Sequence, residues 1–144
     1  MAHARLAHRN AAAGSGRAVT SEEKTRRFER ALALAGNTHT IGDVMDKVRE
    51  NRAACWSNGD TVVITEVNAY PRLRACNYWI IAGTLAECVD LQPDIDAWAI
   101  ENGCGVATAT GRMGWLHVTR TMPLGAGWKP QGIRFVKQIQ RSAS

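Results

Sequence analysis

Thr110 to Arg120 reads TGRMGWLHVTR, and its Gly111-Arg112-x-Gly114 core has the layout of a phosphate-binding turn. Glycines there would let backbone N–H groups at a helix start close around an anion. The same residues can instead bend a strand sharply into a helix, with Trp115 pinning that helix to a sheet. The segment follows a late strand, which favours the bend and leaves Arg112 at a sheet edge, able to meet an anion or a neighbouring chain.

Four cysteines, Cys55, Cys76, Cys88 and Cys104, are widely spaced, form no C-x-x-C pair and sit beside apolar residues. That pattern predicts buried free thiols rather than metal ligands or disulfides, and with them a reducing compartment. No H-x-x-x-H, Walker loop or G-x-S-x-G occurs, so neither a metal site nor nucleophilic hydrolysis is indicated. Five tryptophans could stack nucleic-acid bases. Trp79 lies in an apolar strand and Trp98 on an inward helical face, however, which predicts core positions. Trp128, after two glycines and before Lys129-Pro130, is the one expected to be exposed.

The elements that would position these residues follow from periodicity. Thr20 to Glu23 is a T-x-x-E capping box, after which Phe28, Ala31, Leu32 and Ala35 share one helical face and Gly36 supplies a stop. Thr40 is an N-cap with Asp43 at the third helical position, and Ile41, Val44, Met45, Val48 and Cys55 predict a helix running to about Asn58-Gly59. TVVITEVNAY and RACNYWIIAG read as an antiparallel pair of strands joined at Pro71-Arg72. A second T-x-x-E box, Thr84 to Glu87, opens a helix carrying Leu85, Cys88, Val89, Ile95, Trp98 and Ala99 inward. Pro93 is expected to kink that helix or restart it. GVATAT is a strand, residues 114–124 a helix, and GIRFVKQI a final strand. The order αββαβαβ predicts an α/β fold with a mixed sheet.

The formal charge of +5 is unevenly placed. Residues 1–40 hold seven Lys/Arg against three Glu, whereas residues 41–144 hold eleven against ten Asp/Glu. A folded face built to meet phosphate would concentrate the excess in the body, and here it lies in the N-terminal part. Residues 1–19 contain no acid and little to bury, which predicts an extended basic arm. Three parts are therefore expected: the arm (1–19), a short helix (20–36) and a domain (40–144). No apolar run approaches membrane-spanning length.

NYWIIAG with its following helix, GVATAT, a helix opening with Gly-Trp, and the terminal GW and FVK resemble small proteins of tailed bacteriophages with the Gcn5-related N-acetyltransferase (GNAT) fold. The likeness covers residues 41–139 and implies a mixed sheet with helices on both faces, the family's first strand being weak or missing. In that family a turn written Arg/Gln-x-x-Gly-x-Gly/Ala holds the acyl-CoA pyrophosphate. The corresponding slot here, IIAGTLAECV, has Gly83 alone and no preceding Arg or Gln. The resemblance thus leaves Gly83 and Thr84 as the only acetyl-CoA contacts, Glu66 as the only base, and His117 in place of the missing Tyr acid. A strand Glu is more commonly solvated than catalytic, and a helix-start His more commonly structural.

These departures favour a protein without enzymatic activity or cofactor, docking on other proteins through its arm. A phage virion component or assembly factor, in the particle or the host cytoplasm and present in repeated copies, fits the resemblance. Arg26, Arg27, Phe28, Arg30 and Leu32 would form the docking helix, with Arg112 and Trp128 as further contacts. An acyl-CoA-dependent N-acyltransferase is the alternative, and nucleic-acid binding through the arm a second.

Overall fold

The structure, a computed structural model, describes residues 7–9 by their backbone, and residues 21–110, 127–132 and 134–139 with side chains. The chain divides into two compact units, Met1–Arg112 and Met113–Ser144.

In the first unit the elements run β1 (Ala7–Arg9), α1 (Ser21–Leu34), α2 (Ile41–Arg49), β2 (Ala54–Asn58), β3 (Thr61–Ala69), β4 (Arg74–Ala82), α3 (Leu85–Glu101) and β5 (Val106–Ala109). They build one mixed sheet in the order β1-β2-β3-β4-β5. β1 lies parallel to β2, β2 to β4 form an antiparallel meander, and β5 returns parallel to β4. The α/β class with a mixed sheet is as expected. The arm was expected to be only extended chain, yet Ala7–Arg9 pairs with Trp56–Asn58 and supplies a strand ahead of the first helix.

Helices lie on both faces of the sheet, over β2 to β4. Phe28, Ala31 and Leu32 of α1 and Val44 of α2 pack with Ala53, Ile64, Ile80 and Ala82 on one face. On the other, the Trp98 ring of α3 meets Trp56 edge-on at 6.0 Å, and the Trp56 Nε1–H donates to Thr65 Oγ1 at 2.9 Å. Each fully buried aliphatic side chain contributes about 1.5–3 kcal/mol to these layers. α1 is thus a core element of the unit. The expected separate docking helix at 20–36 is corrected accordingly: its apolar stripe is narrow because it covers part of a sheet.

The expected helix from Ile41 through Cys55 is also corrected. α2 stops at Arg49, Asn51 takes a left-handed φ of 60°, and Ala54–Asn58 forms a strand whose burial alternates residue by residue. Gly59 and Asp60 are a two-residue hairpin loop closed by the Asn58–Thr61 pair, with Gly59 at φ +57°. Thr40 and Asp43 form the expected N-terminus as a full capping box: the Asp43 N–H donates to Thr40 Oγ1 at 3.1 Å, and the Thr40 N–H to Asp43 Oδ2 at 2.9 Å. Pro93 neither ends nor restarts α3, which is continuous across it.

β4 carries an irregularity. Ile64 pairs with Ile80 but Thr65 pairs with Tyr78, so Trp79 is an extra residue, a β-bulge. The bulge lets both Trp79 and Ile80 pack into the α1–α2 layer. In the second unit, residues 127–132 and 134–139 contain no helix or strand. The strand expected at GIRFVKQI is therefore not formed by 134–139, where Phe135, Val136 and Ile139 are 88%, 72% and 89% exposed and bury too little to fix a strand. The expected helix at 114–124 and the Thr20 cap lie outside the described residues.

Candidate functional site

The first candidate is the start of α3, where the resemblance would seat a pyrophosphate. Gly83 adopts φ +143°, and a Cβ there would fall 2.1 Å from Thr61 Oγ1 and 2.6 Å from Thr61 Cα. Glycine is required because the β4–α3 turn presses directly on β3. The Thr84 N–H then donates to Thr61 Oγ1 at 2.9 Å, and the Thr61 hydroxyl in turn donates to Glu87 Oε1, also at 2.9 Å. Thr84 Oγ1 accepts from the Glu87 N–H at 3.3 Å and donates to Glu87 Oε1 at 2.9 Å.

This differs from an ordinary capping box, in which the glutamate reaches back to the cap's backbone N–H. Thr61 takes that N–H instead, and the Glu87 carboxylate occupies the helix start as a built-in anion. A carboxylate there is favoured by the helix dipole and repels a second anion. The Asn58 Nδ2–H, donating to the Glu87 carbonyl at 3.0 Å, ties the same turn to β2. Gly83 and Thr84 thus lie at a helix start whose anion position Glu87 takes.

The second candidate is a polar row across three strands on the α1–α2 side. The Asn77 Nδ2–H donates to Glu66 Oε1 at 3.1 Å, and Thr108 Oγ1 donates to Asn77 Oδ1 at 3.0 Å. Lys47 of α2 closes the row, its Nζ 3.0 Å from Glu66 Oε2 and 4.5 Å from the centroid of the Trp79 ring. The Lys47 and Glu66 side chains are only 21% and 16% exposed. His39, bonded to Thr38 through Nδ1 at 2.7 Å, meets Trp79 edge-on at 4.7 Å.

Glu66 therefore sits neither at a sheet edge nor on a solvated face. β3 is interior, and its glutamate is ion-paired and oriented from both oxygens. Acting as a base would require it to give up Lys47. Lys47, Asn77, Thr108 and Trp79 were not singled out from sequence as partners of Glu66. The available signal was a lone charge in an otherwise uncharged strand, which has to find a partner when buried.

The remaining site residues are dispersed. Phe28 and Leu32 are buried in the unit's own core, Arg26 and Arg30 are exposed and Arg27 is half-buried. Trp128 is half-buried rather than exposed. Arg112 and His117, with the Gly-Arg-x-Gly turn, lie outside the described residues. All four cysteines are free; Cys76 and Cys88 are buried as expected, whereas Cys55 and Cys104 are half-buried. Burial pushes the Cys76 thiol up to about 12, with smaller contributions from Cys104 and Asp96, and the Cys88 thiol up to about 11. Neither supplies a thiolate near neutral pH. Among the described residues no group of three or more His, Cys, Asp or Glu could hold a metal ion. No described helix is long and apolar enough to cross a membrane.

Fold and site together define a small α/β domain with a mixed sheet, flanked by three helices. No family model and no curated protein matches the chain. Two solved structures of one protein, TTHA1254 from Thermus thermophilus, are similar in fold. A single-substitution mutant superposes with a TM-score of 0.52 at 11% identity, and the wild type with 0.50 at 12%. Each alignment covers 88% of this chain and 98% of that one.

Proposed function

We propose that this chain is a non-enzymatic interaction protein on a GNAT-like fold, serving as a component or assembly factor of a phage particle. The observation that carries this reading is the filled helix start. Glu87, bound by the Thr61 and Thr84 hydroxyls, stands where an acyl-CoA-dependent relative would need an unoccupied anion seat. The order β1 α1 α2 β2 β3 β4 α3 β5 supports the family likeness, because it includes a strand ahead of the first two helices.

Phe28 and Leu32 are committed to the core and Ala7–Arg9 to the sheet, so docking falls to the rest of the arm and to the exposed Arg26 and Arg30 of α1. Rim charges of this kind steer and orient an encounter. Quantitative mass spectrometry of purified phage particles tests both parts of the reading. The chain is expected at a fixed copy number, reduced about tenfold, equivalent to ~1.4 kcal/mol, when residues 1–19 are deleted or Arg26 and Arg30 are both changed to Glu. Absence from particles would sink the virion setting. Undiminished incorporation of both variants would sink docking through the arm.

The acyltransferase alternative draws on Glu66, whose carboxylate Asn77 holds in place. Acyl transfer from acetyl-CoA to an amine, lost in Glu66→Gln, would favour it over the interaction reading. Nucleic-acid binding through the arm would instead show an affinity falling steeply with salt.

A further inference from the structure

We propose that Glu66, Asn77 and Trp79 form a receptor for a primary alkylammonium group, which the chain's own Lys47 fills. The inference does not rest on the interaction reading, and it shares Glu66 with the acyltransferase alternative. Its basis is what surrounds the Lys47 Nζ: a carboxylate oxygen at 3.0 Å and an indole face at 4.5 Å, two groups that together recognise an ammonium ion. The carboxylate is not free to follow its guest, because the Asn77 Nδ2–H holds the other oxygen at 3.1 Å and Thr108 in turn holds Asn77. Trp79 is similarly fixed, as the bulge residue of β4 with the His39 ring packed nearly perpendicular to it.

The site is therefore built from the sheet, and its occupant arrives from a different element, α2. A receptor whose parts are held independently of the guest keeps its shape when the guest is removed. Taking Lys47 away leaves a carboxylate that is mostly out of water and has lost its counter-ion, which creates a strong demand for another cation. The Lys47 and Glu66 side chains keep 21% and 16% of their surface in solvent, so the pair is reached where the Lys47 stem enters. In the intact chain the tethered Lys47 competes at a high effective concentration, so free amines are kept out. The ligand class is a primary ammonium on an alkyl stem, either a small free amine or the lysine side chain of another protein.

Chemical rescue of Lys47→Ala tests this. Melting temperatures are measured for the wild type, Lys47→Ala and Lys47→Ala/Glu66→Gln in n-butylammonium chloride, with sodium chloride at equal ionic strength as the control. At about ten times its dissociation constant, butylammonium is expected to raise the melting temperature of Lys47→Ala by about 5 °C over the sodium control. The wild type and the double variant are expected not to respond. A parallel titration with N-acetyl-lysine methylamide assigns the source: tighter binding than butylammonium points to a protein lysine, weaker binding to a free amine. If Lys47→Ala is unfolded alone, recovery of its fold in butylammonium is the same positive result. No difference from sodium chloride, an equal rise in the double variant, or a chain that stays unfolded in amine would each overturn the proposal.

Discussion

Gly83 shows how closely single residues constrain this fold. A methyl group there would meet the Thr61 hydroxyl at 2.1 Å, at a φ of +143° that side chains avoid. Gly83→Ala is expected to destabilise the chain by about 3 kcal/mol or more, read as a lower urea midpoint at unchanged slope. The buried acids make a second expectation at this scale. Cys76 and Cys88 titrate at about 12 and about 11 in the fold against 9.0 ordinarily, and burial, then Asp96, also raises the Tyr78 hydroxyl. Their folded pKa values lie above the unfolded ones, so above pH 9 the unfolded chain releases protons that the native one keeps. The stability from these groups is full below pH 9 and is lost as pH rises toward 12. The melting temperature should fall through that window, less steeply in Cys76→Ala. The buried thiols of Cys76 and Cys88 were legible in the sequence from their apolar neighbours, whereas Cys55 and Cys104, read the same way, are half-buried. Glu66 was visible as a candidate, but Lys47, its partner 19 residues earlier, became evident only once α2 lay over the sheet.

At the scale of elements, capping chemistry was the most legible signal, since Thr40 and Thr84 both open helices as their T-x-x-D and T-x-x-E contexts imply. The error at 50–58 has a physical source. Cys55 lies seven residues after Val48, a helical spacing, while the alternation of Ala54–Asn58 is a strand period too short to outweigh it. Asn58-Gly59 was read as a helix end although it enters a hairpin loop, and both uses exploit the left-handed conformation of glycine. Pro93 is exposed within a continuous α3, where it cannot donate to the Val89 carbonyl. Pro93→Ala should stabilise the chain by about 1–3 kcal/mol, visible as a higher urea midpoint. A lower midpoint would mean that the proline relieves a strain in α3 greater than its own cost.

At the scale of the molecule, the charge division along the chain set a basic N-terminal region apart from a nearly neutral remainder, yet it did not reveal where that region goes. Ala7–Arg9 joins the sheet and α1 joins the core, because an edge strand and a sheet face were there to accept them. Pairing of this kind depends on long-range partners that local composition does not encode. The same limit applies to the α3 start: the sequence showed a missing glycine signature, and only the fold brought Thr61, Thr84 and Glu87 together. The claim that this seat is closed to acyl-CoA is tested most directly by calorimetric titration of acetyl-CoA into the full chain, with a thermal melt at millimolar ligand. No heat and no shift in melting temperature are expected. Micromolar binding would contradict it, since a ligand at 100 times its dissociation constant adds about 2.7 kcal/mol of stability.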